Sequence, residues 1–133
     1  MILKQFQKWI PMDNLASTYD VENITWGEGI CFTLVADKKR IASDDVYCFQ
    51  LTWDNSHIIS YNITDETYRA DCWELDFESN GRFYTSKNTE YIESFKQKSP
   101  LFPDNVIHFL VVGTNMIVDV LAKDYPSVKC MDC

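Results

Sequence analysis

Two histidines, 20 carboxylates and five cysteines are the residues of this 133-residue chain whose types could support chemistry. His57 and His108 are the side chains whose ordinary pKa lies nearest neutrality, so they are the default general bases. Neither belongs to a motif, because the sequence contains no nucleophile elbow, no glycine-rich phosphate loop and no His-Glu-x-x-His. Residues 106–110 surround His108 with apolar side chains, a setting typical of a histidine hydrogen-bonded within a sheet. The sequence therefore predicts no catalytic residue.

Cys130 and Cys133 have the spacing of a metal knuckle or a redox pair. A structural zinc site needs four ligands, usually from two such pairs, and a redox pair lies at the start of a helix that follows a strand. This pair occupies the last four residues instead, so we expect no metal and no cofactor, and we expect residues 126–133 to form a frayed tail. Cys31, Cys48 and Cys72 lie in apolar, strand-like segments, which predicts reduced thiols in the core.

The carboxylates are concentrated in one part of the chain. Residues 41–80 carry nine acids and one base, while the other 93 residues carry 11 of each, so this segment accounts for the whole net charge of −8. Such an excess disfavours nucleic acid as a direct ligand and fits either a surface that binds a basic partner or a solvated face. The candidate partner-binding carboxylates are Asp44, Asp45, Asp54, Asp65, Glu66, Asp71, Glu74, Asp76 and Glu78.

Glu74, Asp76 and Glu78 alternate with apolar residues, as on the solvent face of a strand. Their spacing of about 6.6 Å suits contact with a basic groove at several points, although an ordinary polar strand face has the same pattern. Asp119 differs, because residues 117–121 surround it with apolar side chains. It is either on an exposed face or hydrogen-bonded as an anchor.

Most of the elements that must position these residues are strands. Segments rich in β-branched and aromatic residues predict these strands. One strand is also indicated by alternation, which places Tyr47, Phe49, Leu51 and Trp53 on one face. The dipeptide Asn80-Gly81 predicts a hairpin turn. The predicted strands are residues 24–26, 30–36, 46–53, 57–61, 73–78, 82–84, 106–112 and 116–122. The segment 57–61 is expected to pair back onto 46–53, residues 82–84 to follow the Asn80-Gly81 turn, and the last segment has a helical alternative.

A helix is expected to begin near Asn88, which would cap it, and to end before Pro100. A second short helix is predicted over residues 3–10. Together these elements predict an α+β fold: one domain over residues 1–133, with a twisted antiparallel sheet and one or two helices packed on one face. The mixed charges of the first ten residues and an uncharged stretch of only 14 residues (105–118) predict a cytoplasmic protein without a signal peptide or a membrane span.

Three segments carry a resemblance to known proteins: residues 6–11 (Phe-Gln-Lys-Trp-Ile-Pro), residues 61–66 (Tyr-Asn-Ile-Thr-Asp-Glu), and residues 101–104 (Leu-Phe-Pro-Asp) leading into 117–121 (Ile-Val-Asp-Val-Leu). In these segments the chain resembles small bacterial immunity proteins of polymorphic-toxin and contact-dependent growth-inhibition systems. The resemblance implies a small, acidic, cytoplasmic α+β domain that binds a toxin domain and blocks it. It implies no active-site residues, because the class has none.

Two functional hypotheses follow. The first is a non-enzymatic immunity protein whose acidic surface neutralises a basic toxin domain, plausibly a nuclease, with Trp53, Tyr61 and Tyr68 as exposed aromatic anchors. The second is a small-molecule-binding protein or small enzyme with an aromatic pocket and His57 or His108 as its base. The sequence leaves the oligomeric state and the identity of the partner open.

Overall fold

A computed structural model of the chain describes residues 6–70, 72 and 82–131. The described part contains nine strands, one α-helix and a one-turn 3-10 helix. In chain order they are β1 (Gln7–Lys8), β2 (Asp20–Trp26), β3 (Gly29–Val35), β4 (Cys48–Asp54), β5 (Ile58–Asp65), the 3-10 turn (Glu66–Tyr68), β6 (Phe83–Ser86), α1 (Glu90–Lys96), β7 (Ile107–Val112), β8 (Met116–Ala122) and β9 (Ser127–Cys130).

The strands form two sheets, with the order β1-β6-β7-β8-β5 in one and β2-β3-β4-β9 in the other. Every neighbouring pair is antiparallel. The described residues thus form a single, mostly antiparallel domain with one α-helix, which agrees with the α+β prediction at this coarse level. The prediction of one sheet is wrong, since the strands divide between two, and the twist of the sheets stays a prediction.

The main core lies between the two sheets. Phe49, Leu51 and Trp53 of β4 are completely buried there together with Phe109 of β7 and Val120 of β8. The alternation predicted for this strand is therefore confirmed. All six residues of β7 are buried. One face of the strand packs against the second sheet, and other segments, including α1, cover the opposite face.

Two segments form strands where the sequence analysis predicts otherwise. Gln7–Lys8 pair with β6 instead of forming a helix, because the ring of Trp9 packs edge-on against Phe109 at 5.2 Å and tertiary packing outweighs helix propensity. In place of a frayed tail, Ser127–Cys130 pair with β4, which satisfies backbone groups that would otherwise lie open at the edge of that strand.

Two further differences concern β5 and α1. The segment predicted to pair back onto β4 becomes β5, which joins the other sheet beside β8. The helix begins one residue later than expected, because Thr89 caps it and not Asn88: the Thr89 hydroxyl accepts a hydrogen bond from the amide of Ile92. The hairpin β7–β8 forms where the two apolar runs predict it.

Cys48 is disulfide-bonded, which contradicts its prediction as a reduced thiol, whereas Cys31 and Cys72 form no disulfide. The sequence pattern does not distinguish Cys48 from the other two, and Cys72 is as deeply buried as Cys48. In the described residues no helix has the length and apolar character needed to span a membrane.

Candidate functional site

A chain of buried polar side chains lies on the face of the five-stranded sheet that α1 covers. Asp119 of β8 is 4% exposed and His108 of β7 is 5% exposed. One oxygen of the Asp119 carboxylate, Oδ1, lies 2.6 Å from Nε2 of His108, and the other, Oδ2, accepts a hydrogen bond from the Arg69 guanidinium at 2.5 Å. Asp119 is therefore the hydrogen-bonded anchor that was one of its two predicted roles.

The second ring nitrogen of His108 also has a partner. Its Nδ1 lies 2.9 Å from the hydroxyl oxygen of Thr89, the residue that caps α1. A neutral ring with its proton on Nε2 satisfies all of these groups, because Nε2 then donates to Asp119 and Nδ1 accepts from Thr89. The rings of Phe6 and Tyr91 pack edge-on against the imidazole, with centroids at 5.0 and 5.2 Å. Through these two contacts His108 links the sheet to the start of α1.

A cavity of about 310 Å³ opens above this chain of side chains and is lined by Asn62, Arg69, Thr89, Glu90, Tyr91, His108 and Asp119. Burial raises the pKa of Tyr91 above its ordinary value, and the negative charge of Asp119 adds to the effect, while a hydrogen bond with Ser60 at 2.9 Å opposes it. The cavity has the aromatic wall and the histidine that the small-molecule hypothesis predicts, but the histidine already holds its hydrogen-bond partners.

The 3-10 turn is joined to the buried chain through the residue that follows it, Arg69. Asp65 caps the turn, because its carboxylate accepts from the amide of Thr67 at 2.9 Å, and this bond holds the pKa of Asp65 below its ordinary value. The amide of Glu66 donates to the carbonyl of Asn115 at 3.3 Å. Tyr68 projects from this turn with 80% of its surface exposed. The turn therefore presents an aromatic ring and two carboxylates from a well-anchored backbone.

The predicted carboxylates that the structure describes come from three places in the chain. Asp44 and Asp45 lie in the loop before β4, Asp54 ends β4, and Asp65 ends β5, followed by Glu66. β5 itself spans roughly 23 Å from Ile58 to Asp65 at a rise of about 3.3 Å per residue. Asp71, Glu74, Asp76 and Glu78 lie outside the described residues, and so do the strand and the hairpin turn predicted around the last three.

The three predicted aromatic anchors have different environments. Trp53 is completely buried between Phe32 and Phe109, so its prediction as an exposed anchor is wrong. Tyr61 is partly buried against Trp26, with ring centroids 5.1 Å apart. Only Tyr68 is largely exposed. The sequence analysis missed Trp26, which is 59% exposed, because its place in a strand-like segment gives no sign that the strand lies at a sheet edge.

The other histidine, His57, lines a second cavity of about 340 Å³ together with Glu28, Thr52, Asp54, Tyr125 and Ser127. Hydrogen bonds from the hydroxyl and the amide of Ser56 lower the pKa of Asp54. Of the two cysteines with the spacing of a knuckle, Cys130 is exposed on β9 and Cys133 lies outside the described residues. In the part of the chain that the structure describes, no three ligand-type side chains are grouped as a metal site would require.

Comparison of the chain with protein-family models, with curated proteins and with solved structures finds no match.

Proposed function

We propose that this chain is a non-enzymatic immunity protein that binds a basic toxin domain, plausibly a nuclease, and blocks it through an acidic surface. The observation that carries the proposal is the exposed Tyr68 beside Asp65 and Glu66 on the anchored 3-10 turn. Exposed aromatic rings are frequent hot spots of protein interfaces, and surrounding carboxylates speed the encounter with a basic partner.

The rigidity of the turn supports this role. Arg69 holds one end of the turn to the buried Asp119, and the Asp65 cap holds the other. A side chain presented from a backbone that is already ordered loses less entropy on binding than one on a loose loop. The buried polar chain thus supports a binding surface by fixing the turn that carries it.

The test uses each candidate toxin domain encoded by a gene that neighbours the gene for this chain. We expect the chain to protect cells that express this domain and to form a complex with it whose association slows as salt increases. Asp65→Asn combined with Glu66→Gln should slow association and flatten its salt dependence, while Asp104→Asn, at an exposed site in the loop before β7, should change neither. If a Tyr68→Ala variant still protects the cells and still binds the toxin domain, this turn is not part of the interface.

A second function is favoured by the cavity over His108, whose volume and mixed wall suit a small ligand. Asn62 is exposed at its rim, so Asn62→Trp should block the cavity. A small molecule that raises the melting temperature of the wild-type chain and not of this variant would support ligand binding. Unchanged protection against the toxin in the same variant would separate the two functions.

We propose a cytoplasmic location, as the resemblance implies. The disulfide at Cys48 is the feature that weighs against it, because disulfides persist mainly in oxidising compartments. Alkylation of thiols tests the location, provided that the cells are quenched in acid and the chain is unfolded in denaturant before labelling, because Cys48 is buried: a cytoplasmic chain should then have Cys48 labelled as fully as Cys130. Labelling of Cys130 alone would point to an oxidising compartment.

A further inference from the structure

The edge strands of the two sheets meet on one side of the domain. β5 ends the five-stranded sheet and β2 ends the four-stranded sheet, and Trp26 of β2 contacts Tyr61 of β5 across the gap. We call the surface around this contact the seam. Trp26 is the most exposed tryptophan in the described part of the chain, and an exposed tryptophan that already rests on a second ring is a preorganised anchor.

Both edge strands are irregular, which decides how a partner can bind. The pairing of β2 with β3 shifts register between Val21 and Asn23, and that of β5 with β8 shifts between Ile58 and Ser60. Bulges of this kind discourage the addition of another strand to a sheet edge. A partner at the seam is therefore held through side chains and not through a continued backbone ladder.

The turn that directly follows Trp26 brings in carboxylates. Asn55 locks the β2–β3 turn to the β4–β5 turn, because its amide donates to the carbonyl of Glu28 and its side chain donates to the carbonyl of Gly27, both at 3.0 Å. Glu28 and Asp54 thereby line the same cavity of about 340 Å³. The ring of Tyr125, 50% exposed, forms another part of its wall.

Lysine and arginine side chains are scarce at the end of the seam where Trp26 and Glu28 lie. The sequence has no lysine or arginine between Lys8 and Lys38 or between Arg40 and Arg69, so neither edge strand carries one. At the opposite end of β2, Asp20 and Glu22 share a cavity with Lys38 and Arg40, which offset their charge. The lining residues around Glu28 and Asp54 include no lysine or arginine, and their one basic side chain is the imidazole of His57. The backbone amide of Lys123 donates to the carbonyl of His57.

We propose that the seam is the docking site for an arginine or lysine side chain of the basic partner protein, with the cation over the ring of Trp26 and beside Glu28 of the turn that follows it. A cation over an indole face gains from the ring quadrupole, and the carboxylate adds charge attraction. This inference rests on the proposed function, and it extends the interface along β5 from Tyr68 to the other sheet.

The experiment titrates the isotope-labelled full-length chain with hexa-arginine amide and follows the amide and indole NMR signals. We expect saturable shifts at the Trp26 indole, at residues 27–28 and at residues 54–61, which weaken as salt increases, and none with hexaglutamate. Trp26→Ala and Glu28→Gln should each raise the dissociation constant, the first about threefold or more. Leu101→Ala, which removes a side chain 90% exposed elsewhere on the surface, is the matched control and should change nothing.

Shifts confined to other carboxylates, or a dissociation constant that neither Trp26→Ala nor Glu28→Gln raises, would overturn the proposal. Glu28→Gln keeps the experiment decisive if the tryptophan variant folds poorly, since it keeps the size and polarity of the side chain. Failure of the proposed function looks different: the wild-type chain then neither binds nor neutralises the toxin domain. If neutralisation stays complete in both seam variants, the function stands and the seam is not its interface.

Discussion

Nε2 of His108 and Oδ1 of Asp119 lie 2.6 Å apart on neighbouring strands, and both residues are buried beneath α1. The pair joins three separate parts of the chain, because His108 also contacts Thr89 at the start of the helix and Asp119 also binds Arg69 beside the 3-10 turn. The contact explains why two polar residues are tolerated in strands that are otherwise apolar: each hydrogen-bonding group has a partner.

Replacing Asp119 should therefore destabilise the domain. Asp119→Ala removes the carboxylate that contacts both His108 and Arg69, and loss of one partner from a buried ion pair costs about 3–5 kcal/mol. Urea unfolding followed by circular dichroism measures the change, with Asp104→Asn as the exposed control. An Asp119→Ala chain as stable as the wild type would show that this network does not hold the fold together.

The cap of α1 distinguishes two neighbouring residues. Thr89→Ala should lower the free energy of unfolding by about 1–2 kcal/mol, because the Ile92 amide and His108 lose a partner. Asn88→Ala should have little effect, since Thr89 and not Asn88 caps the helix. The same unfolding experiment compares the two variants. A larger loss of stability in Asn88→Ala than in Thr89→Ala would show that Asn88 caps the helix, as the sequence predicts.

Gly29 has a packing requirement that Gly27 lacks. A Cβ atom at Gly29 would lie 2.1 Å from the carbonyl oxygen of Trp53, whereas one at Gly27 would meet nothing within 4 Å. Because the obstruction at position 29 is backbone, Gly29→Ala must displace β3 from β4, at a cost of about 1–3 kcal/mol or more. Melting temperatures should fall for Gly29→Ala and stay near the wild type for Gly27→Ala; equal values in the two variants would contradict the strand spacing.

The pKa of Tyr91 predicts a loss of stability at alkaline pH. Burial raises it above the ordinary value of 10.0, so below that pH both the folded and unfolded states keep the phenolic proton and the contribution is intact. As the pH rises through the higher pKa of the folded state, the unfolded state has already released its proton, and stability falls. Tyr91→Phe should flatten this decline in urea midpoints between about pH 9 and pH 11, and Tyr68→Phe, at an exposed site, should not.

Local patterns determined much of the secondary structure. Two apolar runs around Gly113 predict the β7–β8 hairpin, and alternation in β4 predicts the face that packs in the core, because both depend on neighbours close in the chain. The same patterns misplace the end of the chain, where β9 forms by pairing with a distant strand. Alternation also cannot tell which sheet a strand joins, so the assignment of β5 to the sheet of β8 was out of reach.

The sequence by itself determined that the chain is a mostly antiparallel α+β domain and that its excess negative charge belongs to residues 41–80. Only the tertiary structure decided that Trp53 is buried while Trp26 is exposed, and that Arg69, His108 and Asp119 meet. The physical reason is that burial and hydrogen bonding depend on contacts between segments tens of residues apart, whose pairing is chosen by the packing of the whole core and leaves no signal in the neighbouring residues.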